Sequence, residues 1–237
     1  MTMNNVLFRM LPPCCNLAAV PVQVLPERER QFFAGFMPDA VTAIVMAHHV
    51  VTEEEWTWYT IVSSGERCDA DDHLRDLCER VRDQLVEQGY RAKLVKYPGE
   101  SGLQFRFVAE SGGLGRIGTN AFLFHPAWGP WVHLRVMGTT AKLDLRQELS
   151  GDQLCDACGV CISECPAQAI SQNTFQGLQC RSYRKARGEY EPHGPAGLLP
   201  YCKRCVWVCP KGKQPIPGVR YEGTVERAHS PDTLPRQ

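Results

Sequence analysis

Charge of one sign is what this sequence lacks first: 26 lysines and arginines are balanced by 26 aspartates and glutamates over 237 residues. No global basic field exists to draw in a nucleic-acid backbone, which leaves only a local patch for that purpose. Long hydrophobic runs are missing too. Nowhere do about 18 apolar residues follow one another, so no membrane-spanning helix is expected. The first 30 residues have no basic segment leading into an unbroken apolar stretch and no Arg-Arg pair, and Pro12, Pro13 and Pro21 interrupt the apolar character that is there. Export is therefore not expected. Apart from two Cys-Pro runs there is no internal repeat, and the length fits one large domain or two smaller ones.

Cysteine, by contrast, is plentiful, with 12 in the chain. Cys155, Cys158, Cys161 and Cys165 are spaced two, two and three residues apart and closed by Pro166, the bacterial ferredoxin run for [4Fe-4S] ligation. Short loops let three successive thiolates face one cube, while the fourth turns away toward a neighbouring cube. Two clusters are therefore expected. A second run, Cys202, Cys205 and Cys209 followed by Pro210, supplies partners, with Cys180 standing alone upstream. By the ferredoxin exchange rule Cys155, Cys158 and Cys161 take Cys209, and Cys202 and Cys205 take Cys165 and Cys180. Four-cysteine zinc sites are the alternative, but zinc explains neither the third cysteine at the next two-residue gap nor the Cys-Pro after both runs. Thiolate ligands also call for a reducing compartment, so a cytoplasmic protein is expected.

Residues 1–30 read as apolar, proline-rich and irregular. Cys14-Cys15 invites chemistry there, yet with no His or third Cys nearby in sequence the pair is expected to be partly buried or incidental. Residues 40–51, AVTAIVMAHHVV, fit a buried strand. Neighbours on a strand point to opposite faces, so His48 and His49 cannot converge on one ion and are expected at the surface or as satisfied core. Residues 56–62 read as a second strand, or a loop followed by one. Asp69 or Asp71 is expected to cap a helix in which Leu74, Leu77, Cys78, Val81 and Leu85 recur at three- and four-residue spacing until Gly89. Cys78 lies on that stripe, as core filler. Residues 91–97 read as a short strand, Pro98-Gly99 as a turn, 103–111 as helix and 131–137 as strand, with 142–150 leading out to the cysteines.

Between them, residues 112–120 contain G-x-G-x-x-G at Gly113, Gly115 and Gly118. A dinucleotide site needs a strand before this motif and a helix after it, and here the order is reversed. Two readings stay open: a tight turn in which glycine supplies positive φ, or a loop whose backbone lies close against a large planar ligand. A boundary near Ser150-Gly151 divides residues 1–150, an α/β unit, from a cysteine module at 151–215 and an irregular C-terminal tail at 216–237.

Several of these residues together resemble the epoxyqueuosine reductase family and, more distantly, the reductive dehalogenases. The match rests on Asp72-His73 at the helix start, Ala109-Glu-Ser-Gly-Gly-Leu-Gly-Arg-Ile-Gly-Thr-Asn120, the first cysteine run, Cys180-Arg-Ser182-Tyr183 and the final Cys-x-x-Cys-x-x-x-Cys-Pro. It spans roughly residues 68–210. The resemblance implies an α+β fold, with a nitroreductase-like α/β domain that binds cobalamin at 1–150 and a ferredoxin-like module with two [4Fe-4S] clusters against the corrin. It implies cofactor contacts from Gly113, Leu114, Gly115, Gly118, Thr119, Asn120, Ser182 and Tyr183. Thr119 stands where the family has Lys. The family's catalytic acid has no ungapped counterpart, and the candidates for proton donor are Glu100, by a one-residue shift, and Tyr97. A helical-repeat domain that helps the family hold tRNA has no match in these residues, so tRNA is a doubtful partner.

The expected activity is a cobalamin-dependent reductase that passes low-potential electrons from the clusters to the corrinoid, fed by a ferredoxin- or flavodoxin-type donor and acting on a small-molecule or corrinoid substrate. The alternatives are a corrinoid-reducing or cobalamin-handling protein with no organic substrate, or a ferredoxin-type electron carrier.

Overall fold

The computed structural model describes residues 3–52, 55–56, 58–61, 65–96, 102–186, 198–199 and 202–212. In chain order the elements are α1 (Met3–Arg9), β1 (Cys15–Pro21), a 3-10 turn at Val22–Val24, α2 (Glu27–Phe36), β2 (Thr42–His49), β3 (Trp58–Ile61), β4 (Gly65–Arg67), α3 (Asp69–Glu87) and β5 (Ala92–Leu94). There follow α4 (Phe105–Ser111), β6 (Arg116–Ile117), β7 (Leu123–Phe124), β8 (Val132–Thr139), α5 (Val160–Ser163), α6 (Gly177–Ala186), β9 (Leu198–Leu199) and α7 (Arg204–Trp207). The architecture is mixed α and β around an antiparallel sheet of order β1-β2-β8-β5.

Strand parity divides the core. β2 is buried along its whole length, so the alternation of its side chains feeds two apolar layers rather than one apolar and one wet face. Ala43, Val45 and Ala47 join Ala18, Val20 and Val136 on one side, with Phe33 of α2 and Val108 of α4. Ile44 and Met46 join Leu17, Ala19 and Met137 on the other, where α3 lays down Leu74, Leu77, Cys78, Val81 and Leu85. All five stripe residues are fully buried, and burial of such side chains stabilises by about 1.5–3 kcal/mol for each large aliphatic one.

Residues 1–30 are not irregular: they hold α1, β1 and the start of α2. The prolines punctuate these elements instead of abolishing them. Pro12 and Pro13 follow α1, Pro21 closes β1, and Pro26 immediately precedes α2. Neither Asp69 nor Asp71 caps α3. Cys68 holds the cap position in extended conformation without a side-chain bond, because the Asp71 carboxylate is taken up elsewhere. The helix runs to Glu87, and Gly89 follows at φ 84°. β5 is shorter than expected, three residues, and Pro98 and Gly99 lie outside the described residues, as does the tail at 216–237.

A third apolar cluster joins the cysteine-bearing segment to the sheet. Val206 of α7 is fully buried against Val50, Trp56, Cys68, Ala70 and Trp131. Beside it the Lys203 ammonium donates to the Trp56 carbonyl at 2.6 Å and sits 4.9 Å from that indole's centroid.

Candidate functional site

Cys155, Cys158, Cys161 and Cys209 line one cavity. Cys165, Cys180, Cys202 and Cys205 line a second, larger one of about 360 Å³. Local backbone explains how short loops aim the thiols. Ala157, Gly159 and Gln168 all adopt positive φ, at 57°, 82° and 50°, which curls the first run around its cavity, and α5 and α7 are single turns carrying Cys161 and Cys205. Burial pushes the Cys161 thiol up to about 11 and Cys205 up to about 12, with neighbouring sulfurs adding to the rise. Four thiolates gathered around one cavity repel one another, so each donor set suits a cluster core that supplies positive charge.

The glycine-rich loop runs between the two sets. Thr119 and Asn120 line the first cavity, and Asn120 through Leu123 line the second. Thr119 Oγ1 lies 3.6 Å from Cys155 Sγ, and the buried Asn120 amide donates to the Cys205 carbonyl at 3.2 Å while its oxygen accepts from the Phe122 amide. The glycines themselves are committed to the protein. A Cβ on Gly113 would lie 1.9 Å from the Gln147 carbonyl oxygen, on Gly115 2.3 Å from that of Phe124, and on Gly118 2.3 Å from the Phe124 ring. Leu114 is fully buried in the core. The loop is thus packed down on β7 and residue 147, and it is Thr119, Asn120 and Ala121 that it presents.

Apolar side chains from several elements wall the larger cavity, among them Trp56, Phe105, Phe122, Leu123, Val132 and Leu134. Arg106 also lines it. Its Nη1 donates to the Ala121 carbonyl, and its Nε is buried with no hydrogen-bond partner among the described residues. Tyr183 of α6 reaches the same wall half-buried, and Ser182 is exposed. Tyr97 and Glu100 lie outside the described residues.

Behind Trp56 is a buried polar group that the sequence did not single out. Trp56 Nε1 donates to His133 Nδ1 at 3.2 Å, which leaves Nε2 as the protonated nitrogen, 2.8 Å from Asp71 Oδ1. Arg135 Nε donates to the same oxygen at 2.8 Å and its Nη2 to Oδ2. Burial alone would raise the Asp71 carboxyl, but the hydrogen bonds and charge of His133 and Arg135 overcome it and hold it below the usual carboxylate range. Burial pushes His133 the other way, down. Both ring nitrogens of His133 are engaged, so it positions Trp56 rather than moving protons.

His48 and His49 do point apart. His49 stacks on Trp128, ring centroids 5.3 Å apart, while His48 faces α3. Cys14 and Cys15 depart from expectation: both are buried, and their sulfurs meet His48 and His73. Sequence distance hid this. Antiparallel pairing sets Cys15 directly across from His48, 33 positions away, and α3 delivers His73.

No family model matches the sequence. Among curated proteins it is 31% identical over 119 residues to the epoxyqueuosine reductase of Staphylococcus aureus (strain NCTC 8325 / PS 47), covering 47% of this chain and 30% of that one. It is 32% identical over 143 residues to that of Synechococcus sp. (strain RCC307), covering 59% and 43%. The chain is homologous to the epoxyqueuosine reductases. It spans less than half the length of these curated relatives. Its fold is similar to that of a selenomethionine-labelled epoxyqueuosine reductase, with TM-score 0.61, 18% identity and coverage of 93% of this chain and 67% of that one. A catabolic reductive dehalogenase solved with 3-bromo-4-hydroxybenzoic acid is a more distant neighbour, with TM-score 0.51, 19% identity and coverage of 78% and 27%. The doubt over tRNA is not borne out by these relatives. One epoxyqueuosine reductase, with TM-score 0.58 and 18% identity over 88% of this chain and 64% of its own, is solved with an epoxyqueuosine-modified tRNA-Tyr stem loop. The curated relatives are named as reductases, and no helix among the described residues of this chain is long and apolar enough to cross a membrane.

Proposed function

We propose that this chain is a cobalamin-dependent iron–sulfur reductase of the epoxyqueuosine reductase type, working in the cytoplasm, with a nitroreductase-like α/β part and a ferredoxin-like module. When bound, the clusters supply single low-potential electrons and the corrinoid supplies the reducing centre that meets the substrate. Cys155, Cys158, Cys161 and Cys209 hold the outer cluster. Cys165, Cys180, Cys202 and Cys205 hold the inner one, on the wall of the apolar cavity.

The observation that carries the reading is that one four-thiol set opens into a largely apolar cavity while the other stands behind the same loop. A plain carrier has no use for such a cavity. Its volume is that of an ordinary small-molecule pocket and smaller than a whole corrinoid, so part of that ligand would stand beyond the described walls. Trp56, Phe105 and Phe122 would exclude water from it, and the Arg106 side chain on the same wall brings a positive charge suited to the amide and phosphate oxygens of a corrinoid. Asn120, tied to the Cys205 carbonyl, fixes the loop between the two thiol sets. Thr119 approaches the outer set, Tyr183 approaches the cavity, and Tyr97 and Glu100 are the proposed proton donors. A positioned acid contributes about 10² to 10⁴ in rate where negative charge develops.

The first substrate to try is epoxyqueuosine in tRNA, with a ferredoxin or flavodoxin as reductant. Anaerobic protein titrated with cob(II)alamin should give a saturable change in the visible spectrum and, with reductant, turnover of the modified tRNA. Absence of binding would refute the corrinoid reading. Binding without turnover of any organic electrophile would favour the corrinoid-handling alternative.

A further inference from the structure

We propose that Cys14, Cys15, His48 and His73 form a zinc site, separate from the eight motif cysteines. Their four ligand atoms lie within 4.8 Å of one another, on the α3 face of the sheet. Cys15 Sγ is 3.5 Å from His48 Nδ1 and 3.8 Å from His73 Nε2. Zinc binds sulfur at about 2.3 Å and imidazole nitrogen at about 2.0–2.1 Å, so the sulfur–nitrogen edge of a tetrahedral site is roughly 3.5 Å. The first spacing matches that edge and the second exceeds it by a few tenths of an ångström.

A second observation points the same way. His48 Nε2 is 2.7 Å from Glu55 Oε1, and the other Glu55 oxygen accepts from the Val51 amide at 3.0 Å. Both His48 and Glu55 are buried. A carboxylate fixed on one imidazole nitrogen selects the tautomer whose other nitrogen carries the lone pair, and here that nitrogen is Nδ1, facing Cys15. Metal-ligating histidines are held in this way by a carboxylate. A divalent cation also offsets the two thiolates, which lowers the penalty of burying them, and the Glu55 carboxylate is left to the His48 N–H and the Val51 amide. Two sulfurs and two imidazoles in tetrahedral array select zinc over the oxygen-seeking ions.

The site would join the start of β1, the end of β2 and the second turn of α3. It also anchors, through Glu55, the segment that carries Trp56 into the cavity wall. Its role would be structural, since four protein ligands leave zinc no open position.

The test uses the full chain, produced anaerobically in zinc-supplemented medium so that its clusters are retained. Metal analysis should give about one zinc per chain beside the iron, and X-ray absorption at the zinc edge should show two sulfur and two nitrogen neighbours. Cys14→Ser combined with His73→Ala should abolish the zinc while leaving iron unchanged. Glu55→Gln should weaken zinc about 10- to 100-fold in competition with a chromophoric chelator. Absence of stoichiometric zinc would overturn the assignment, as would zinc surrounded by four sulfurs or zinc retained in the double variant. Should the double variant fail to fold, the absorption spectrum of the unaltered chain decides.

Discussion

Removing the Asp71 charge should cost this fold heavily, because the carboxylate is buried and serves two buried cationic or donor side chains. Asp71→Asn keeps the size of the side chain but takes from the Arg135 guanidinium, itself 7% exposed, the carboxylate that its Nε and Nη2 both address. Breaking a buried ion pair from one side destabilises by about 3–5 kcal/mol. A chain of this length loses roughly 2–4 °C in Tm per kcal/mol, so a fall of about 6–20 °C is expected in anaerobic thermal scans at fixed rate. The change reaches the cavity as well: His133 exchanges a carboxylate acceptor for a weaker, neutral amide oxygen, which loosens the ring whose Nδ1 accepts from Trp56. Trp56 fluorescence should therefore shift before global unfolding. The pH dependence has a fixed sign. The Asp71 pKa is depressed in the folded state, so its contribution is complete above the unfolded value of about 3.9 and disappears as pH falls through the lower, folded value. Asp71→Asn should flatten that part of the acid limb. A Tm within about 2 °C of the unaltered chain, with an unchanged acid limb, would refute the claim that this pair is buried and mutually dependent.

Replacing Cys209 should remove iron from the set of Cys155, Cys158 and Cys161, and replacing Cys165 should damage the other set. Either change should take iron from about eight per chain toward about four, by iron and sulfide analysis, and an identical spectroscopic loss from both variants would contradict the grouping. Gly115→Val should lower stability by about 1–3 kcal/mol, because its Cβ meets the Phe124 carbonyl oxygen at 2.3 Å. Full stability with only ligand binding lost would instead restore a direct contact of Gly115 with the cofactor.

The parts of the fold that were legible in the sequence are those in which a period or a spacing is local. The α3 stripe announced itself because a helix repeats its buried positions within a few residues, and the cysteine runs did so because a cluster takes most of its ligands from one short loop. β1 escapes a local reading for a related reason. Buried on both faces, it shows no alternation, and the prolines beside it read as disruption when they are boundaries. The Asp71, His133 and Arg135 group and the meeting of Cys14, Cys15, His48 and His73 depend on register between distant strands. No local pattern in the sequence encodes that register.

The glycine-rich loop shows how a motif and its physical cause can come apart. Its three glycines suggested a backbone laid against a flat ligand, yet each has its missing Cβ directed at the protein itself: Gly113 at Gln147, Gly115 at Phe124, and Gly118 at the Phe124 ring and Cys155. What close packing achieves is placement. With the loop pressed onto β7, Thr119 falls beside Cys155 and Asn120 beside Cys205, and Ala121 is held at φ 63°, an uncommon conformation for a residue with a Cβ. Such strain persists only where surrounding contacts over-determine it. The short segment 119–121 is therefore the rigid partition between the two thiol sets and one wall of the cavity. The glycines matter for the site by allowing that partition to exist, a role in which bulk at Gly115 fails through the fold before it can fail through the ligand.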